Sequence, residues 1–512
     1  MSTMNASRRL FLRHAGMMSA IGAAGGPLAL NLSAIGTASA QTAADYKAIV
    51  CLFLFGGNDS INMVLPTDAA SFANYTALRS QAPDPIALLA AGTAANGSPA
   101  RLGGVLPIAP TNAQGRSFAL HPAMGTLQTM FDTDKRLAIL PNVGTLILPT
   151  SKTQYGQASH PKPVSLFSHN DQQNTWQAFR PEGATVGWGG RMGDLLASMN
   201  QRSVFTSITA GGNAVWLSGQ DVRQYQVTSN GAIRLGTNAS GQVYGSAAVG
   251  AAMERIVQTT RGGHVLEADL SAVAARSMQA ESLLRNALKP ASDPLFGTAP
   301  ASGAYNANND PKLRYTDPNN PGTTIANNLA QQLQIVARMI DASGNASIGA
   351  KRQVFFVSMG GFDTHDVQNG NHAQLMARLS HALRYFDDTL GAMGARDRVT
   401  TFTASDFGRT FTSNGDGTDH GWGAHHFVTG GAVKGGDLYG TFPIYGAKNA
   451  GNNNFDSSPD QLGNGSLLPT TSVDQLGATL GKWFGLSDTQ LLDVFPNLAN
   501  FSTRDLGFMN PA

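Results

Sequence analysis

The residues best suited to chemistry lie in one run, "VTTFTASDFGRTFTSNGDGTDHGWGAHHFVTGG", beginning at Val399. An apolar stretch stops at Asp406, and a glycine-rich segment follows that carries Asp416, Asp419, His420, His425 and His426. Carboxylates and imidazoles together can hold a divalent ion, Zn-like where imidazole dominates and Ca or Mg where carboxylates do. His425 and His426 are adjacent, so on a strand only one of them can face a site. Asp416 and Asp419 are equally suited to shaping turns or meeting solvent.

Three further segments share this pattern of apolar run, tight turn and polar residues. "CLFLF" leads to Gly56, Gly57, Asn58, Asp59 and Ser60; "VSLF" leads to Ser168, His169, Asn170 and Asp171; "VFFVSM" leads to Gly360, Gly361, Asp363, Thr364 and His365. Runs of four to eight apolar residues, rich in β-branched and aromatic types, read as strands buried on both faces. Ligands of open α/β sheets bind beyond the carboxyl ends of such strands, so four parallel neighbours would bring these segments to one place. Asp363 and His365, at i and i+2, form a chelating pair. Arg409 would neutralise an anion. Ser168 precedes the helix-like "NDQQNTWQAF", whose free amides suit either a nucleophile beside an anion or a plain N-cap.

"RLAILPNVG" and "SVFTSIT" add strand candidates. Ile325, Leu329, Leu333, Val336 and Ile340 line one helical face, and Leu375, Leu379, Leu383, Phe386 and Leu390 another. Strands alternating with amphipathic helices predict a layered α/β fold. Over residues 218–324 a long helical candidate, Ala247 to Leu288, stands among Asn/Gly- and Pro/Asn/Asp-rich loops. It is read as an insertion or cap on a single domain spanning 41–512. Trp176, Trp188 and Trp422 are expected in the core or a pocket wall.

The first forty residues read as a targeting segment: "SRRLFLR", a modestly apolar Gly/Ala-rich run, and "ASAQ" with a cleavage site after Ala40. Weak hydrophobicity suits the twin-arginine route, hence a periplasmic or secreted protein. No later run reaches about 18 apolar residues, so no membrane span is expected. Setting aside Arg8, Arg9 and Arg13 leaves 32 of the 35 basic residues against 33 acidic ones, a balance offering nucleic acid no electrostatic footing. Cys51, the only cysteine, allows no intrachain disulfide and reads as a small apolar residue. There is no G-x-S-x-G elbow, phosphate-binding P-loop or H-E-x-x-H, and "GWGGRMG" at Gly187–Gly193 is not a dinucleotide fingerprint.

Four motifs, "LFLFGGNDSINMVLP", "SHNDQQNTWQ", "GGFDTH" and "SDFGRTFTSNGDGTDHGWGAHHFVTGGAVKGG", together resemble the bacterial domain-of-unknown-function family 1501 from about residue 45 onward. That family looks like a branch of the alkaline phosphatase and sulfatase superfamily. The resemblance implies a three-layer αβα sandwich and metal-assisted hydrolysis of a small phosphate or sulfate ester, phosphate ahead of sulfate, with one or two ions. Carried over by residue, it implies Asp59, Asp363, His365, Asp406 and His420 as metal ligands, Ser168 (or Ser60) as nucleophile and Arg409 as charge stabiliser. It also implies a partner from uncharacterised family 1800. Two departures stand out: Phe407 occupies a position that is commonly His, and Asp363 and His365 are unusually close in sequence. These departures raise a single-ion site, or a non-catalytic envelope protein on the same fold.

Overall fold

In a computed structural model, the described residues are 46–96, 102–229, 231–232, 242–259 and 265–510; the predicted targeting segment lies outside them. The central sheet contains β1 (Lys47–Leu54), β2 (Leu137–Gly144), β3 (Ser207–Thr209), β4 (Arg352–Met359), β5 (Val399–Ser405) and β8 (Ala424–Thr429). Between β5 and β8 a hairpin of β6 (Arg409–Ser413) and β7 (Thr418–His420) projects from the sheet. The sheet order is Asp437–Leu438, β2, β8, β5, β1, β4, β3, Tyr225–Thr228, Gly231–Ala232. β1 runs parallel to both β4 and β5, whereas β8 is antiparallel to β5 and β2, so the sheet is mixed.

Register decides where the site can form. Leu54 at the end of β1 pairs with Met359 on one side and Ser405 on the other, so three strands finish level. The turns after them therefore open on the same edge.

All eight β1 residues are buried, which explains the unbroken apolar run. One face, through Ile49, Cys51 and Phe53, packs with Trp176 of α3 (His169–Ala178), Trp188 of α4 (Trp188–Leu196) and Leu476 of α9 (Val473–Phe484). Across the sheet α7 (Asn328–Ala342) packs against β4 and against α8 (Gln368–Ala392), which also touches α2 (Gly125–Asp132). Helices thus flank a mixed sheet, as the α/β reading expected. Burial pushes the Cys51 thiol well up, leaving it a packing residue.

Three local readings are corrected. "PVSLF" is not a strand: Val164 is 55% exposed, and Ser165 and Phe167 have positive φ. Pro161 and Pro163 each remove a backbone donor that a strand would need. Ile325 belongs to Thr324–Ala326, paired with Arg314–Thr316, and the helix begins only after the Asn327 cap. In place of one long helix from Ala247 to Leu288, the described residues form two, α5 (Ala247–Gln258) and α6 (Val265–Ala287). No helix among the described residues is long and apolar enough to cross a membrane.

Candidate metal centre

The turn after β1 is built for close approach. Gly56 has φ +116, and a Cβ there would lie 2.4 Å from the Asp363 amide nitrogen. Gly57 has φ +78, and its Cβ would lie 2.4 Å from the Phe407 ring. With glycine at both positions, the Gly56 amide donates to Asp406 Oδ2 at 3.2 Å and the Asn58 amide to Ser405 Oγ at 2.9 Å. The ends of β1 and β5 are thereby tied together.

Beyond β4, Phe362 and Thr364 turn inward, while Asp363 and His365, two residues apart, turn outward. The hairpin pairs Arg409 with His420 across its strands, setting both beside Asp363. Arg409 Nη1 donates to Asp363 Oδ1 at 2.8 Å. His420 Nε2 lies 3.2 Å from that same oxygen and 2.9 Å from His365 Nε2, and His365 Nε2 lies 3.1 Å from Asp363 Oδ1. His420 Nδ1 donates to the Phe167 carbonyl at 2.7 Å, which leaves the Nε2 lone pair facing the cluster.

The residue that sequence reasoning did not single out is His169, the first residue of α3. Its Nδ1 donates to Asp406 Oδ2 at 2.6 Å; its Nε2 is buried without a hydrogen-bond partner, 3.5 Å from Asp363 Oδ2. Gln173, one turn later on the same helix face, donates to the same Asp406 oxygen at 2.9 Å. Asp406 Oδ1 is also buried and unpartnered. The i, i+4 pair of His169 and Gln173 after "S" in "SHNDQQ" was the available signal. It is legible only once the helix start is known.

His169, Asp363 and His420 can each offer one ligand atom, with all three atoms within 4.8 Å of one another. Two ligands of a tetrahedral ion at about 2.1 Å lie roughly 3.4 Å apart, close to the separations seen here. A ring fixed by its far nitrogen on a carboxylate or carbonyl is how metal-binding histidines are held, and His169 and His420 are both held so. The residues fit a divalent ion.

Electrostatics follow from these contacts. The hydrogen bond His169 donates to Asp406 raises its ring above the ordinary value, against the effect of burial. Burial pushes the Asp363 carboxyl up, but Arg409 and the neighbouring histidines hold it below the usual range. Burial lowers His420 and likewise the Arg409 guanidinium. Phe407 is buried, its ring 4.9 Å from that of His169 and 4.6 Å from that of His420.

The remaining candidates lie elsewhere. Asp59 is fully buried, with Arg79 on both carboxylate oxygens at 2.5 and 3.0 Å and Gln368 at 2.5 Å. Burial pushes its carboxyl up, and the charge and hydrogen bonds of Arg79 more than offset that. Ser168 is the N-cap of α3 but makes no side-chain cap bond; Asp171, in the first turn, accepts from the Glu182 amide, which holds its carboxyl low. Ser60 is buried, its hydroxyl unpartnered. His425 and His426 are both buried in β8, bonded to Asn142 and Tyr445 and to Thr403 respectively. Asp416 accepts from the Val367 amide, and Asp419 lies 3.5 Å from His365 Nδ1. Trp176, Trp188 and Trp422 are core residues.

Fold and site together define an α/β protein with a His/Asp cluster at the carboxyl edge of its sheet. Residues 46–495 match the family described as "Protein of unknown function (DUF1501)", and the chain belongs to that family. No curated protein matches it in sequence. Among solved structures it is similar to the PsFucS1 sulfatase from Pseudoalteromonas sp. (9% identity, TM-score 0.35, covering 94% of this chain and 76% of that one). It is also similar to Ps i-CgsB in complex with k-i-k-neocarrahexaose (8%, 0.34, 90% and 77%). A third likeness is to the lipoteichoic acid synthase LtaP from Listeria monocytogenes (7%, 0.25, 78% and 68%).

Proposed function

We propose that this protein is an exported, metal-dependent hydrolase of a small anionic ester, phosphate ahead of sulfate, working with a single divalent ion. The observation that carries this is the buried His169 Nε2, partnerless and aimed at Asp363 while Asp406 holds its other nitrogen. The ion would be held by His169, Asp363 and His420, with His365 able to join; an imidazole-rich set favours Zn over Ca or Mg. Bound there, it would polarise an ester oxygen and lower the pKa of a bound water or hydroxyl.

The chain's own residues supply the rest. Asp406 and the Phe167 carbonyl orient the two rings, and Arg409 fixes Asp363 while adding positive charge where transition-state charge develops. Ser168, next to His169 and N-cap of α3, is the candidate nucleophile. Residues 218–324 serve as a cap on the domain, and residues 1–40 direct twin-arginine export to the periplasm or beyond.

A second reading is supported by Asp59 and Phe407. With Asp59 saturated by Arg79, and Phe407 unable to coordinate, a second ion has lost its two ligands. A binding or assembly protein of the envelope, paired with a family 1800 partner, would need no more. Metal analysis of the mature protein from Gln41 onward decides between them. Near-stoichiometric metal, lost in His169→Ala and Asp363→Asn, supports the hydrolase and justifies an ester screen. A protein that holds no metal after Zn is supplied refutes it in favour of the binding protein.

A further inference from the structure

Two exposed apolar residues stand close in sequence to histidines of the centre, in backbone conformations that disfavour them. Phe167, 36% exposed, has φ +78 and stands two residues before His169. Val367, 59% exposed, has φ +47 and stands two residues after His365, so their Cα atoms lie within about 7.6 Å. The left-handed region is uncommon for any residue with a Cβ and an outlier for a β-branched one. Glycine or asparagine would make either turn with less strain, and a polar side chain would suit the exposure better.

Each backbone has a task that explains its shape but not its side chain. The Phe167 carbonyl accepts from His420, and the Val367 amide donates to Asp416 Oδ2 at 3.2 Å. Strain of this sort, when the surroundings impose it, gathers at ligand-binding sites. Within two residues of a cluster made of carboxylates, imidazoles and a guanidinium, these phenyl and isopropyl groups present apolar surface to solvent.

We propose that Phe167 and Val367 are specificity residues, and that the substrate's anionic group is carried on an apolar alkyl or aryl alcohol rather than a sugar. This rests on the reading of the centre as an anionic-ester site. The metal-bound anion would sit at His169, Asp363 and His420, with the first carbons of the alcohol between the two side chains.

The test is calorimetric titration of the Zn-loaded protein with ethyl-, butyl-, hexyl- and octylphosphonate, which bind as the ester would but have no P–O–C link to cleave. 2-Hydroxyethylphosphonate against propylphosphonate gives a polar isostere of equal size. Half-burial of each methylene predicts about a twofold gain per carbon, or roughly 60-fold over the six carbons between ethyl and octyl. Propylphosphonate should bind several-fold tighter than its hydroxyl isostere.

The double variant Phe167→Asn/Val367→Asn keeps residues that tolerate the left-handed backbone, and it should flatten the series to less than about threefold. Zn content and melting temperature establish that the variant is folded and loaded. Equal affinity across the series in the parent protein overturns the apolar substrate while leaving the anion site intact. An unchanged slope in the variant overturns the roles of Phe167 and Val367. If no phosphonate binds the Zn-loaded protein, the anionic-ester reading falls along with this one.

Discussion

Replacing Asp59 distinguishes a buried structural ion pair from a metal ligand. All five guanidinium N–H groups of Arg79 are used: on Asp59 Oδ1 and Oδ2, Asn62 Oδ1, and the Thr410 and Phe411 carbonyls. Arg79 is fully buried and remains charged, so Asp59→Asn leaves its charge uncompensated. Breaking such a pair from one side costs about 3–5 kcal/mol. For a unit of this length the unfolding entropy is roughly 1 kcal/mol/K, so the melting temperature should fall by about 3–5 °C. Measured in excess chelator, the melt reports the network alone. Metal content is read separately, by mass spectrometry on protein purified without chelator, and should match the parent. Asp59→Asn/Arg79→Met, which removes both charges, should recover part of the loss, because the two effects belong to one interaction. If Asp59→Asn instead strips the metal while its chelator melt is unchanged, Asp59 is a ligand and the reasoning fails.

Asp406→Asn should weaken Zn affinity by about 10- to 100-fold without abolishing it, since Asp406 would act on a bound ion only through His169; competition with a chromogenic chelator reads this, and parent-like affinity refutes it. Gly57→Ala places a Cβ against a Phe407 ring already packed on two histidines, in a left-handed backbone, and should cost about 2–4 kcal/mol. Thermal melting checks that, and a shift under about 1 °C contradicts it. Burial holds His372 down to about 4 and His425 and His426 down to about 3, below the roughly 6.5 of an unfolded chain. Their stabilisation is complete above about pH 6.5 and is lost as pH falls towards 3–4, at about 1.4 kcal/mol per pH unit each. Asp474, pushed up to about 6 by burial, works oppositely: its contribution is present at low pH and lost as pH rises through 6. Together these four groups take up about two protons on unfolding near pH 5, and the burial that lowers His121 adds to that, so melting temperature should drop steeply from pH 6.5 to 4.5. A flat profile would contradict the burial of these histidines.

Whether a segment was legible depended on what its apolar residues meet. β1 and β5 could be read because both faces are covered, so every position after Lys47 is apolar or small. "VSLF" looks the same over four residues, and only the prolines at 161 and 163 separate it from a strand. Period alone carried Ile325 into a helix, although Asn327, whose side chain accepts from the Leu329 and Ala330 amides, marks the true start. The cap was in the sequence; the strand pairing of Ile325 with Tyr315 was not.

The centre divides along similar lines. Asp363, His365 and His420 converge because each follows a strand or sits in a hairpin whose register local sequence determines. Asp59 has the same local signature, yet its carboxylate points inward to an arginine at the end of α1 (Ala69–Arg79), a contact no spacing rule anticipates. Asp406 was recognisable as special but not as the residue behind His169. Taken together, these placements say what Phe407 does. Its ring fills space between the Gly57 turn, His169 and His420, where a coordinating side chain would need room for an ion. Arg79 meanwhile supplies Asp59 with the positive charge an ion would have brought. The Arg79 pairing and Phe407 reinforce each other: with a guanidinium neutralising Asp59, a ligand at position 407 would have no second ion to share, and the apolar ring there packs against both histidines instead.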